Sequence, residues 1–163
     1  KSSAASDVYK RQAPGSYFLV YQMHKDPALC AYAKAAAKAA GKPLLRLSAS
    51  VHQATWGGKF IYAPTPGQFL HYIKNAACVI TDSFHGTAFS LRFGVPFAEV
   101  LPTNYTGTCN HSLLTLTGLQ SRLVTDPADT ALTATPINYA PVHKKIEAAR
   151  TASLSLLREM IEK

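Results

Sequence analysis

Acidic side chains are scarce in this sequence. Nine Asp and Glu stand against seventeen Lys and Arg, for a formal charge of +8. Cysteine is scarce too, with Cys30, Cys78 and Cys109 widely spaced and odd in number. That excludes a disulfide framework, and the lack of a C-x-x-C pair leaves no zinc signature. No metal site is expected. No apolar run approaches the roughly 18 residues of a membrane-spanning helix, and the polar opening has no apolar h-region. A cytoplasmic location is the expectation. G-x-G-x-x-G, G-x-S-x-G and H-E-x-x-H are all missing, and Gly57-Gly58-Lys59 lacks the frame of a P-loop. Internal repeats are missing as well.

What is present is a globular composition, 47% hydrophobic and 16% charged, in a length that suits one domain able to bury a core. The basic excess favours small anionic ligands. The cationic residues neither form a run nor interleave with aromatics, so nucleic acid is not expected as a partner. Residues 1–12 hold Lys1, Lys10 and Arg11 against Asp7, which is +2 of the charge and leaves +6 for the rest. They have no amphipathic period and are set apart as a non-native leader. The upstream part of the native chain is then expected to be missing.

From Ala13 onward, strand and helix signals alternate. Tyr17 to Met23 is a near-continuous apolar run, as in a strand buried on both faces. Asp26-Pro27 caps an Ala- and Lys-rich helix over 28–40, and Gly41 stops it. Leu44 to Leu47 is a second strand, 48–59 a loop around Trp56-Gly57-Gly58, and Phe60 to Ala63 a third strand. A helix over 67–76 follows, with Thr65 or Gly67 as its cap. Cys78 to Thr81 is a strand, 83–93 a helix stopped by Gly94, and 95–101 a strand. A polar loop over 102–110 leads to a short helix at 111–116 and a small strand at Arg122-Leu123-Val124. The domain is therefore expected over 13–124, a Pro/Thr/Ala-rich linker over 125–141, and a long amphipathic helix over 142–163. The class is α/β, an open, mainly parallel Rossmann-like sheet with helices on both faces.

In such sheets, ligands bind outside the carboxyl ends of the strands. The ends to consider are 23–25, 48–50, 63–65, 82–85 and 102–106. The fourth is the most informative, because Cys78 to Thr81 runs directly into Asp82-Ser83-Phe84-His85-Gly86-Thr87 at a helix start. Backbone N–H groups there favour a phosphate or carboxylate. Ser83 can cap the helix, Gly86 permits a close approach, and His85 can bind an anion or carry a proton. A solvated His85 beside purely structural caps is the plainer alternative. His24-Lys25-Asp26 reads as a polar loop with a helix cap. Trp56 could stack on a sugar or serve only in packing.

The stretch from Ala76 through Thr81-Asp82-Ser83-Phe84-His85-Gly86-Thr87 to Phe97 resembles the hallmark segment of the polysaccharide pyruvyl transferase family. Three further segments agree in order: Tyr17 to Met23, Pro66 to Ala76, and Leu113-Leu114 through Gly118-Leu119 to Leu123. The resemblance covers about Tyr17 to Val124. It implies the C-terminal half of a two-domain fold like that of the GT-B glycosyltransferases, with a missing N-terminal domain and the site between the two. It also implies transfer of a pyruvyl group from phosphoenolpyruvate to two sugar hydroxyls, as a ketal, in cell-surface or exopolysaccharide biosynthesis. The fragment alone is expected to be inactive. No cofactor is implied, because phosphoenolpyruvate is itself the donor substrate. The acceptor is a sugar or a lipid-linked oligosaccharide, and the latter is compatible with peripheral membrane association.

In that scheme His85 is catalytic, protonating or binding the donor. Asp82, Ser83, Phe84, Gly86, Thr87, His111 and Arg122 are substrate-binding candidates. The sequence departs from the family at two places where other members carry arginine: Ser83 stands at one and the 108–111 segment at the other. Arg46, Lys59, Arg92, His111 or Arg122 would then meet the donor charge. Two other readings remain, a GT-B glycosyltransferase using a nucleotide sugar and a non-catalytic module that binds glycan or anion.

Overall fold

A computed structural model describes residues 14–102 and 107–162. The leader at 1–12 lies outside them, as does residue 13, and so do residues 103–106 of the last strand-end loop. Five strands form one parallel sheet in the order β3-β2-β1-β4-β5. They are β1 (Phe18–Tyr21), β2 (Leu44–Ser48), β3 (Lys59–Tyr62), β4 (Cys78–Thr81) and β5 (Phe97–Glu99). The helices are α1 (Pro27–Ala39), α2 (Pro66–Lys74), α3 (Phe84–Phe93), α4 (Gly107–Thr117) and α5 (Tyr139–Ile161).

Strand alternation sends alternate side chains to opposite faces of the sheet. Leu19, Leu45, Leu47, Val79 and Phe97 pack with Tyr72 and Ile73 of α2, Leu91 of α3, Leu114 of α4 and Val142 of α5. Phe18, Val20, Cys78, Ile80 and Ala98 pack on the other face against Leu29, Tyr32, Ala33, Ala36 and Ala37 of α1. Helices thus cover both faces, as expected of strands whose two faces are both apolar. Each fully buried Leu or Val contributes about 1.5–3 kcal/mol, so this two-sided core holds the strand ends in place.

Local signals position the helices. Asp26 Oδ1 accepts from the N–H groups of Ala28 and Leu29 at 2.8 and 3.3 Å, with Pro27 as the first helical residue. Thr65 and Gln68 form a reciprocal capping box at α2. Gly94, at φ 68°, takes the left-handed conformation that ends α3.

Strands β1 and β5 are shorter than the expected 17–23 and 95–101 runs, and four further boundaries differ from the sequence reading. The 48–59 loop contains a 3-10 turn at Val51–Trp56. The polar 102–110 segment is helical from Gly107 onward, so α4 is longer than expected. Arg122 ends a 3-10 turn, and Leu123 makes only a single bridge, to Glu99, rather than a strand. The last helix begins at Tyr139, where the Asn138 side chain accepts from Ala140 N–H at 3.1 Å. Tyr139 and Pro141 belong to its first turn, the one place where proline costs a helix no hydrogen bond.

Candidate functional site

Strand order reverses between β1 and β4, because β1 leads outward to β2 and β3 while β4 leads to β5. The crevice outside the carboxyl ends at such a switch point is where ligands bind in this architecture. The loop after β1 carries Met23 and His24, and the loop after β4 carries Asp82 and Ser83.

Asp82 joins the two loops. Its carboxylate accepts from Met23 N–H at 2.7 Å and His24 N–H at 2.9 Å, and it lies 3.0 Å from His24 Nδ1. The Asp82 side chain is 2% exposed and that of His24 38% exposed. Burial of a carboxylate is costly unless it is hydrogen-bonded, and here three nitrogens surround it. Asp82 therefore organises the β1 loop rather than capping α3. By sequence alone His24 belongs to a polar loop. Its partner lies 58 positions away, which no local pattern announces.

The β4–α3 turn is built from Thr81. Its hydroxyl donates to Tyr21 carbonyl at 2.6 Å and accepts from Ser83 N–H at 3.0 Å. A Cβ on Gly86 would lie 2.4 Å from Thr81 Oγ1 and 2.9 Å from its Cβ. The close approach that Gly86 permits is thus that of Thr81, a neighbour in the fold. Ser83 occupies the N-cap position of α3, but its side chain makes no capping bond. The expected Ser83 cap is corrected on this point: the hydroxyl is not engaged with the N–H groups that open α3. Those N–H groups are the ones no helix can satisfy internally.

Beyond Ser83 the surface opens. Phe84 and His85 are exposed, with ring centroids 5.9 Å apart and edge to face. Thr87 is buried, and its hydroxyl donates to Glu99 Oε2. The Asn110 amide donates both to Glu99 Oε1 and to Asp82 carbonyl, the latter at 3.1 Å. Glu99 has no exposure, and burial pushes its carboxyl up to about 8. Thr87 and Asp82 thus face inward, while Phe84 and His85, the pair that follows Ser83, are exposed.

The proposed cations divide differently. Arg122 is buried, and its guanidinium donates to the carbonyls of Phe97 (2.8 Å), Leu132 (2.7 Å) and Thr135 (3.2 Å). Phe97 opens β5 at the amino end, away from the crevice, so the structure does not bring Arg122 to the site. Arg46 is also buried, donating to Gln22 Oε1 (2.8 Å) and Gly57 carbonyl (3.0 Å) while its guanidinium sits 5.7 Å from the Trp56 ring centroid. The Trp56 face open to a sugar is reduced accordingly. Lys59 and Arg92 are exposed, on β3 and at the last turn of α3. His111 is exposed on α4, one residue beyond Asn110. A cavity of about 350 Å³ lies beside the β1 loop, lined by Lys25, Pro27, Cys30, Lys34 and Trp56 among others. Among the described residues no group of three or more His, Cys, Asp or Glu could hold a metal ion. No helix among them is long and apolar enough to cross a membrane.

Residues 51–104 match the family model described as polysaccharide pyruvyl transferase. That stretch is pyruvyl transferase-like. It contains the whole β4–α3 junction, Asp82 through Thr87, whereas His24, His111 and Arg122 fall outside it. No curated protein matches the chain. Two solved structures share the fold. One is Phytolacca americana UGT2, complexed with UDP-2fluoro-glucose and pterostilbene, at 15% identity and a TM-score of 0.55, covering 98% of this chain and 46% of that one. The other is the Q202A form of Os79 from O. sativa with UDP, at 17% identity and a TM-score of 0.53, covering 90% of this chain and 34% of that one. Both show a GT-B-like fold for this chain. The chain spans less than half of either structure's length.

Proposed function

We propose that this chain is the C-terminal part of a polysaccharide pyruvyl transferase, with phosphoenolpyruvate as donor and sugar hydroxyls as acceptor. The observation that carries the reading is the position of the pyruvyl transferase-like stretch: its Asp82–Thr87 segment lies at the switch point of a parallel sheet, where His85 is exposed at a helix start. A helix N-terminus favours an anion through its unpaired N–H groups and dipole. Phosphoenolpyruvate carries two anionic ends, a phosphate and a carboxylate. The Ser83 hydroxyl and the N–H groups of Phe84 to Gly86 hold one of them, and His85 stands beside the enol carbon as proton donor. Asp82, Gly86 and Thr87 shape this turn from behind.

An N-terminal domain of the same protein supplies the facing wall, and the acceptor, a sugar or lipid-linked oligosaccharide, enters between the two. Transfer chemistry belongs to that two-domain form, while the chain alone binds donor without turning it over. The linker is part of the same proposal, reaching from the domain end near residue 124 to α5.

The testing experiment is a donor titration of the chain followed by NMR. Phosphoenolpyruvate should shift the backbone amides of Ser83 to Thr87 at millimolar concentration or below. A response to UDP-sugar alone would favour the glycosyltransferase reading, for which the shared fold with UGT2 and Os79 is the observation. No response to either would leave a module without a donor site.

A further inference from the structure

We propose that the cavity of about 350 Å³ beside the β1 loop is a subsite for a sugar unit bearing a negative charge, stacked on Trp56 and held by Lys25 and Lys34. Assigning that sugar to the acceptor rests on the pyruvyl transfer reading; the binding itself does not.

The Trp56-Gly57-Gly58 turn builds one wall. Gly57 at φ 101° and Gly58 at φ 87° take backbone conformations that residues with a Cβ rarely adopt. Glycine at both positions lets the chain pass from the 51–56 turn into β3 with Trp56 laid against Arg46. The Arg46 guanidinium is fully buried and lies over the ring at 5.7 Å from its centroid, fixed by Gln22 Oε1 and Gly57 carbonyl. Arg46 thus supports the ring from within, while Trp56 itself is only half-buried and lines the cavity.

The charges around it favour an anion. A Cβ on Gly57 would lie 2.2 Å from Lys34 Cε and 3.0 Å from its Nζ, so the Lys34 ammonium is set against the backbone next to Trp56. Lys25 stands in the loop before α1, and both lysines are exposed. Among the described residues neither lysine nor Arg46 forms a salt bridge. Asp26 also lines the cavity, but its Oδ1 is engaged with the N–H groups of Ala28 and Leu29. Two ammonium groups, with a guanidinium behind them, therefore outweigh one carboxylate.

The cavity has the volume of a small-molecule pocket, with Cys30 and Ala31 adding apolar wall. A bare inorganic anion would leave the indole without a partner, and a neutral sugar would leave the ammonium groups without one. A pyranose bearing a phosphate or a carboxylate meets both demands: its C–H face lies on the indole and its anion meets the lysines. A sugar phosphate in a lipid-linked acceptor and a uronate within a glycan share this chemistry. The cavity and the donor turn also hang on one carboxylate. Lys25 follows His24, whose N–H is held, like that of Met23, by Asp82.

Trp56 is the only tryptophan in the sequence, so its fluorescence reads the cavity directly. The test titrates the chain with glucose 1-phosphate, glucuronate, glucose and inorganic phosphate, following Trp56 emission and the backbone amides of Lys25, Ala31 and Lys34. At least one of the two anionic sugars should give a saturable change, with a Kd at least about tenfold below those of glucose and of phosphate. The tighter of the two identifies a phosphate ester or a carboxylate as the anion. Lys25→Gln and Lys34→Gln should each weaken binding about two- to fivefold, as expected of exposed ion pairs. Added salt should weaken the wild type more than the double variant. Trp56→Ala, followed through the same amides, should lose saturable binding; if it does not fold, the lysine variants decide. No saturable change with either anionic sugar, an equal response to glucose or to phosphate alone, or affinities unmoved in both lysine variants would overturn the proposal. Phosphoenolpyruvate added to the same samples separates this outcome from the donor reading, since it should shift the amides of Ser83 to Thr87 without displacing the sugar from Trp56. A donor response without sugar binding removes the subsite alone. Sugar binding without a donor response keeps the subsite and removes its assignment to the acceptor.

Discussion

The Thr87 hydroxyl donates to Glu99 Oε2, tying α3 to the end of β5 where neither residue is exposed. Asn110 of α4 donates to the other oxygen of the same carboxyl. Three elements behind the candidate site therefore meet on one buried acid. Burial is the largest influence on it and raises its pKa from 4.5 to about 8, against the lowering effect of the two donors.

That shift makes stability depend on pH. Between 4.5 and about 8 the folded chain keeps a proton on Glu99 that the unfolded chain releases. The unfolded state then binds fewer protons, so stability falls as pH rises, by up to about 1.4 kcal/mol per unit. The contribution is complete below the ordinary carboxyl range and lost above about 8. Thermal midpoints of the wild type should therefore decline from pH 5 to pH 8 more steeply than those of Glu99→Gln. Glutamine can accept from Asn110 and donate to Thr87 without titrating. Parallel curves for the two proteins would show that Glu99 is ionised in the fold.

Arg122 should behave as a structural clamp. Its three donors satisfy carbonyls of Phe97, Leu132 and Thr135, which join β5 to the segment before α5. Arg122→Ala leaves those acceptors to find new partners. A cost of about 2–4 kcal/mol in denaturant unfolding is expected from the lost charged-donor bonds. Phosphoenolpyruvate affinity, measured under conditions where the variant remains folded, should change less than about threefold. A large loss of affinity with intact stability would return Arg122 to the site.

His85→Ala should show the opposite pattern. His85 is exposed at the start of α3, so unfolding free energy should move by less than about 0.5 kcal/mol. Turnover in the full-length protein should drop by about 10²-fold or more if His85 carries the proton to the donor. Steady-state kinetics beside a denaturation curve would show the split. Unchanged turnover would remove His85 from the mechanism.

The β4–α3 turn was legible because its signals are local. Cys78 to Thr81 is continuously apolar until Thr81, and a polar stretch with Gly86 follows, so both strand and helix could be placed within a residue. Asp26-Pro27 and Thr65 with Gln68 were legible for the same reason. His24 and Glu99 were not. His24 sits in a short polar loop, and only tertiary pairing of β1 with β4 brings Asp82 to it. Glu99 ends an apolar strand, and its partners come from two helices that the sequence does not order in space. The start of α4 was obscured by Gly107 and Thr108, which are weak helix formers. For Arg122, charge alone suggested a ligand, while its three carbonyl partners depend on the chain returning across β5.

Gly86→Ala should disturb the site through Thr81. The added Cβ meets Thr81 Oγ1 at 2.4 Å, well inside contact distance, and that hydroxyl already bonds both Tyr21 and Ser83. Either the start of α3 shifts or Thr81 rotates and loses those bonds, at a cost of about 1–3 kcal/mol. Backbone amide shifts at Tyr21 and Ser83, together with the unfolding midpoint, would report it. A variant with wild-type stability and unmoved amides would mean that the turn has slack which this geometry does not show.

The far end of α5 should be the least protected part of the described chain. Its first turns are docked: Val142 is buried, Tyr139 donates to Val95 carbonyl, and Lys145 donates to Thr117 carbonyl at 3.3 Å. From Arg150 onward every described residue is exposed, including Leu154, Leu156, Leu157, Met160 and Ile161. Five large apolar side chains in water are unusual on a surface, and burying each would be worth about 1.5–3 kcal/mol. A helix held only by its own hydrogen bonds over those three turns is marginal. In the isolated chain, amides of residues 153–161 should therefore exchange orders of magnitude faster than those of β1 and β4, or the chain should self-associate through them. Leu156→Glu with Met160→Lys would separate these outcomes, abolishing association if the apolar stripe drives it. On the two-domain proposal the same amides become protected in the full-length protein, where the N-terminal domain covers the stripe. Slow exchange throughout 153–161 in a monomer of the isolated chain would show that α5 needs no such cover.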